Sequence, residues 1–166
     1  MAGGFFRLDN ARDLLDKLVR DHDKLVTEPT ADTVFNFFVT GWSIRDWILS
    51  ERPDLRGQVN DLYDGELQYC QDIGNKAKHF TLIRHRTYAR PSDPDTVISS
   101  WGALNETPIN AHAINGGEIR WSLSYGGIVA ISNVFEYAKY VVDALVAFFD
   151  RYEISPHPVH SERNTS

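Results

Sequence analysis

Cysteine is almost absent from this chain. Cys70 stands alone among 166 residues, which excludes an intramolecular disulfide and leaves no second thiol for a cysteine-based zinc site. Long apolar runs are missing too, so nothing approaches the roughly 20 residues needed to span a bilayer as a helix. The pattern of a cleavable leader, a basic start followed by an apolar stretch, is not found after Met1. A reducing cytoplasm is therefore the expected compartment, with no membrane as partner. No phosphate-binding glycine loop, nucleophile elbow or zinc spacing occurs, and the glycine pairs beginning at 116 and 126 read as turns. His157 and His160 lack carboxylate or cysteine company, so neither a metal nor another cofactor is expected. Basic charge is also in deficit: a net charge of −6 opposes attraction to nucleic acid over the whole surface and confines any polyanion contact to a local patch.

What is present suits one core. An apolar fraction of 42% and a charged fraction of 24% fall in the range of a single globular domain. Asp9 can cap a first helix in which Leu14, Leu15, Leu18, Val19, His22, Leu25 and Val26 recur at spacings of three and four. After the turn EPTAD, a second helix from about Asp32 to Ser50 carries apolar residues almost all round, as a central helix should. Pro53 stops it, and a polar link, RPDLRGQVN, leads to a third helix of roughly Asp61 to His79. Leu62, Tyr63, Leu67, Cys70, Ile73 and Ala77 take one side of that helix, and Gln68, Asp72, Asn75, Lys76 and His79 the other. Gly74 falls on the apolar side, where an interior glycine costs about 1 kcal/mol relative to alanine, so a close approach by a neighbouring helix is expected to compensate.

From Thr81 the period changes. LIRHRTYAR, TVISSWGALN and EIRWSLSYGG are rich in β-branched and aromatic residues and are separated by turn signals, which predicts a small antiparallel meander. Helix returns from Ile131 to Tyr152, and the last stretch, with two prolines and little to bury, reads as a disordered tail. The expected fold is mainly α: a four-helix bundle with a small antiparallel β insertion between its third and fourth helices. It forms one domain over residues 1–152, the insertion lying at about 81–127, with the tail at 153–166.

The chemistry concentrates at residues 71–90. Asp72, Asn75 and His79 stand at i, i+3 and i+7, so a helix stacks them within an arc of about 60°, with Lys76 beside them. Histidine titrates near neutrality, and an adjacent carboxylate or amide can fix its tautomer, which makes the group a candidate for proton transfer. The alternative is that these residues simply face water. No acidic residue lies between Asp72 and Asp93, yet Lys76, Lys78, Arg84, Arg86 and Arg90 do, giving a local charge of +5. On a strand, Arg84, Arg86, Tyr88 and Arg90 share one face, a cationic row with an aromatic that can follow a phosphate backbone and stack a base. A solubilising strand face is the other reading of that row. Arg45, in WSIRDW, falls on the stripe of Phe38, Trp42 and Leu49, where a guanidinium needs a partner or the rim. Either it forms a structural ion pair, with Asp72 better placed than Asp46, or it holds a ligand phosphate. Cys70 reads as a small core residue and not as a nucleophile.

A helical domain with a polar motif ending in histidine near the end of its third helix, then an insertion and a last helix, resembles the HEPN superfamily. That family's signature is an arginine, usually followed by a polar residue, with four to six residues before a histidine. In GNKAKH, His79 takes the histidine's place, Asn75 that of the polar residue, and Gly74 stands where the family has its arginine. The resemblance implies metal-independent ribonuclease chemistry at a dimer interface in a prokaryotic defence or toxin setting. His79 would then be acid or base for attack by a ribose 2′-hydroxyl, and an arginine would stabilise the phosphorane charge. One version is an inactive relative that keeps RNA or nucleotide binding through Lys76, Lys78, Arg84 and Arg86; another has Arg45 supply the missing charge. Two further expectations stand beside these: a non-catalytic module that binds a protein partner and whose polar cluster is structural, and a small-molecule enzyme with a pocket lined by Trp42, Arg45, Asp72 and His79.

Overall fold

The computed structural model describes residues 8–79, 94–100, 119–125 and 128–155, and these are mainly helical. Helix α1 runs Ala11–Thr27. Its cap is Asn10, whose side-chain oxygen accepts from the Asp13 amide at 2.9 Å, while the Asp13 carboxylate accepts from the Asp9 amide at 2.9 Å. The cap thus falls one residue later than the expected Asp9, and the Asn10 side chain satisfies a backbone donor that the first turn leaves without a helical partner, while Asp13 ties down the residue before the cap. Leu14, Leu15, Leu18 and Leu25 are buried, whereas Val19 and Val26 stand 37% and 57% exposed. Each follows a buried leucine by one residue, a rotation of about 100° that carries it off the core stripe.

Helix α2, Ala31–Glu51, opens on a capping box between Thr30 and Thr33 and buries Val34, Phe37, Phe38, Thr40, Gly41, Ile44 and Ile48. Buried residues all along its length make it the central helix. Pro53–Leu55 form a 3-10 turn, which leads into α3, Arg56–Asp64.

The third helix expected over residues 61–79 is two helices. Helix α3 stops at Gly65, whose amide donates to the Asp61 carbonyl at 3.0 Å, and α4 restarts over Gln68–His79. The Leu67 amide reaches back to the Leu62 carbonyl at 2.8 Å, a wide turn that closes the first helix and re-aims the second. Leu62, Tyr63, Leu67 and Cys70 are all buried, so the break preserves one apolar side across both pieces. The expected polar link is instead the 3-10 turn and the start of α3, and its Leu55 and Val59 lie in the core.

Strands β1 (Pro94–Ser100), β2 (Ile119–Tyr125) and β3 (Ile128–Ile131) pair antiparallel in the order β1-β2-β3. Ser100 opposes Ile119 at one end and Pro94 opposes Tyr125 at the other. The strand expected over residues 82–90 lies outside the described residues. Ile131 belongs to β3 and not to the last helix, because α5 (Val134–Arg151) begins at the Asn133 cap, whose side chain accepts from the Phe135 amide. Helix α5 packs Val134, Ala138, Val141, Leu145, Phe148 and Phe149 into the same core as α1 and α2. Beyond it Ile154 is buried, so the core extends into the stretch assigned to the tail; residues 156–166 lie outside the described residues.

Candidate functional site

Helix α4 carries the candidate motif, and Gly74 fixes its position. A Cβ at Gly74 would lie 2.5 Å from Trp42 Cβ and 2.7 Å from the Phe38 carbonyl oxygen. The approach of α2 that its sequence position foretold is therefore close enough to exclude any side chain. Four residues earlier Cys70 faces Gly41, where an added Cβ would meet the sulfur at 2.9 Å. Burial drives the Cys70 thiol well above its ordinary range, which keeps it protonated and inert, as a core residue.

The start of α4 is held from α5. The Tyr137 hydroxyl accepts from the Cys70 amide at 3.1 Å and donates to the Glu66 carbonyl at 3.4 Å. Tyr140 donates to the Glu66 carboxylate at 3.0 Å. The Tyr137 ring lies 6.3 Å from Phe38, nearly parallel to it, and burial raises its phenol pKa. Glu66, Tyr137 and Tyr140 were not singled out in the sequence; the spacing of the two tyrosines, one turn apart, was the available signal.

With the helix pinned at both ends of this contact, the polar row takes a definite setting. Asp72 is buried, at 7% exposure, and Asn75 and Lys76 are half-buried. Each of the three takes part in a polar or electrostatic contact. Asp72 is therefore not part of a wet face. His79 is the last residue of α4 and Lys78 precedes it; their side chains, with Arg84, Arg86, Tyr88 and Arg90, lie outside the described residues.

Arg45 stands elsewhere. One guanidinium nitrogen donates to Asn60 Oδ1 at 2.8 Å, the other to Asp46 at 3.2 Å, and the group lies over the Trp42 ring, 5.4 Å from its centroid. Its carboxylate partner is Asp46, not the expected Asp72. Adjacent residues on a helix can meet at their tips because the long arginine stem folds back over the surface. Below it, Trp42 makes an edge contact with Tyr63 at 5.6 Å, and the buried Tyr63 hydroxyl donates to the Gly41 carbonyl at 2.6 Å. Burial is the main reason that the Tyr63 phenol is raised well above its ordinary pKa.

These contacts give the direction of the chain past α2. Asn60 meets Arg45, Tyr63 meets Trp42 and Gly41, and Gly74 meets Trp42 and Phe38, so α3 and α4 descend antiparallel to α2. His79 lies five residues past Gly74, roughly 7.5 Å further along at 1.5 Å per residue, while Arg45 is anchored at the other end by Asn60. The backbone thus brings Asp72, Asn75, Lys76 and His79 onto one helix and separates Arg45 from its far end. Tyr63 falls on the apolar side of the expected third helix, whereas Asn60 falls in the polar link before it and was missed; an asparagine and a tyrosine three residues apart share a face only once the helix includes both.

Among the described residues no group of histidine, cysteine, aspartate and glutamate side chains is arranged to hold a metal ion, and no helix is long and apolar enough to cross a membrane. No family model matches the chain, and neither a curated protein nor a solved structure matches it.

Proposed function

We propose that the chain is a HEPN-like domain that binds RNA through the polar surface of α4 and the basic stretch that follows it. On this reading α1, α2, the broken α3–α4 pair and α5 are the four helices of the bundle, the strands between α4 and α5 are its antiparallel insertion, and the domain works as a cytoplasmic homodimer. The observation that carries the reading is the row Asp72, Asn75 and Lys76, half-buried or buried and engaged in contacts, on a helix that ends at His79 and is followed by Arg84, Arg86 and Arg90 with no acid before Asp93. An organised polar row beside a cationic segment suits a phosphate backbone with its 2′-hydroxyls better than it suits bulk water.

Binding, and not cleavage, is the activity proposed. The family's arginine position falls on Gly74, where the α2 backbone leaves no room for a Cβ, and Arg45 is tied to α3 at the opposite end of the contact. With neither Gly74 nor Arg45 placing a guanidinium beside His79, the developing phosphorane charge loses from these two positions a stabilisation worth about 3 kcal/mol in comparable sites. The test is an electrophoretic assay with mixed cellular RNA on wild type and His79→Ala. The expected result is a shifted, intact RNA with wild type and a weaker shift with the variant. RNA cut by wild type and spared by His79→Ala would make the end of α4 an active site, and no shift at all would remove the RNA reading.

The second reading, a protein-interaction module, has one observation in its favour. Val19 and Val26, two turns apart on α1, and Phe35 on α2 are large apolar side chains left 37%, 57% and 47% exposed. Stable capture of a partner lost on Val26→Asp, with no RNA bound, would favour it.

A further inference from the structure

We infer that Arg45, Asn60 and Arg56 form a receptor for a phosphate group, at the end of the α2 contact remote from His79. The argument starts from donors. A guanidinium has five N–H groups, and among the described residues Arg45 finds two acceptors, Asp46 and Asn60. Its side chain is only 22% exposed, so water has limited access to the rest. The head group does not wander in search of partners, because the Trp42 ring lies under it and Asn60 holds it from α3. An arginine immobilised in this way meets an oxyanion with little further loss of rotamer freedom, and its fork matches two phosphate oxygens.

The neighbours extend the donor set. Asn60 accepts from Arg45 through Oδ1, which leaves its amide nitrogen as a donor on the same surface. Arg56 is exposed and stands one turn before Asn60 on α3, the i,i+4 spacing that shares a helix face. Two carboxylates oppose an anion there. Asp46, 66% exposed, competes for Arg45, and Asp61, next to Asn60, is exposed. The Asp46 pair is a solvent-facing ion pair, of the kind that contributes at most about 1 kcal/mol, so a doubly charged phosphate can displace it. The ligand chemistry is a phosphate group, either in a polynucleotide backbone or at the end of a free nucleotide. Only the polynucleotide case rests on the RNA-binding reading.

The test follows the indole N–H of Trp42 by NMR, assigned with Trp42→Phe, during titration with inorganic pyrophosphate and separately with a short RNA. The expected result is a saturable shift that Arg45→Gln weakens at least tenfold, that Arg45→Lys weakens less, and that Asp46→Asn tightens severalfold by removing the competitor. A purely structural ion pair gives the opposite sign for Asp46→Asn or no response at all. Saturation by pyrophosphate assigns free phosphates as sufficient; saturation by RNA alone assigns the backbone. No saturable shift with either probe overturns the receptor, and if RNA still retards in a gel the α4 reading survives that failure. Should Arg45→Gln not fold, Asp46→Asn and Arg56→Ala, both at exposed positions, decide the question by the same readout: an affinity unchanged in both overturns the proposal.

Discussion

The two flanks of α2 are built on opposite rules. Toward α1 the contact includes a closed polar triangle: Lys17 donates to Thr40 Oγ1 at 2.7 Å, Thr40 donates to Asp21 at 2.8 Å, and Lys17 pairs with Asp21. Toward α4 the contact is a near approach of backbones, with Gly74 under Trp42 and Phe38, and Gly41 under Cys70. The polar flank depends on partners being present, since a buried hydroxyl such as Thr40, 6% exposed, costs free energy when left without one. The glycine flank depends on volume being absent, and a close-packed interior does not yield to an added atom without moving something. The same helix is therefore tolerant of shape on one side and intolerant on the other. The intolerant side is the one that positions the candidate RNA surface.

Substitutions can break this contrast, beginning with the largest effect. Gly74→Ala gains about 1 kcal/mol of helix propensity, but its methyl would meet a backbone oxygen at 2.7 Å, which cannot rotate away. Overpacking against a fixed backbone atom falls at the upper end of the usual range, about 3 kcal/mol, so a net loss of about 2 kcal/mol is expected in urea unfolding; a stabilised variant would show that the helices are not in contact. Next, Tyr63→Phe removes the bond to the Gly41 carbonyl and is expected to cost about 1–2 kcal/mol.

That tyrosine also gives the pH dependence its sign. Its folded-state pKa is raised above the ordinary 10.0, so its contribution is fully present below pH 10 and is lost as the pH rises past that value toward the folded pKa. Cys70 and Tyr137 are raised in the same direction and begin to act from their ordinary values of 9.0 and 10.0. Stability measured against pH should therefore fall from about pH 9 upward, and more shallowly in Tyr63→Phe. An identical alkaline slope in both proteins would contradict the burial of that hydroxyl.

The polar flank should respond less. Thr40→Val keeps the shape and leaves Lys17 paired with Asp21, so a loss of about 1 kcal/mol is expected by the same unfolding measurement. Lys17→Met, in which a partly exposed ion pair is lost, should cost less than about 1 kcal/mol. If either exceeds Gly74→Ala, the polar triangle and not the glycine contact governs the position of α2.

How much of this was legible in the sequence differs by element. Helices α1, α2 and α5 declared themselves by spacing, since each buries a continuous stripe. Gly74 was legible because a glycine inside a helical pattern carries a cost that packing must offset, and Cys70 because it shares that side. The break at Gly65 was not, because Leu62, Tyr63, Leu67 and Cys70 keep an acceptable helical phase straight through it. Periodicity reports which side is apolar and is blind to a turn that restores the same side. The Arg45 cluster was only half visible: the arginine stands out on an apolar stripe and Tyr63 on the expected third helix, while Asn60 lies in a polar link that turns out to be the start of α3. Burial of Asp72 was likewise hidden, as a carboxylate on the polar arc of a helix gives no sign that the rest of the chain covers it.

The central claim, that the surface of α4 and the cations after it bind RNA, is tested most directly by RNA affinity measured across salt concentrations for wild type and Arg84→Ala/Arg86→Ala. The expected result is a steep linear fall of log affinity with log salt in wild type, and in the variant a slope shallower by about 0.7 for each phosphate contact removed. Affinity indifferent to salt, or the same slope in both proteins, would contradict it.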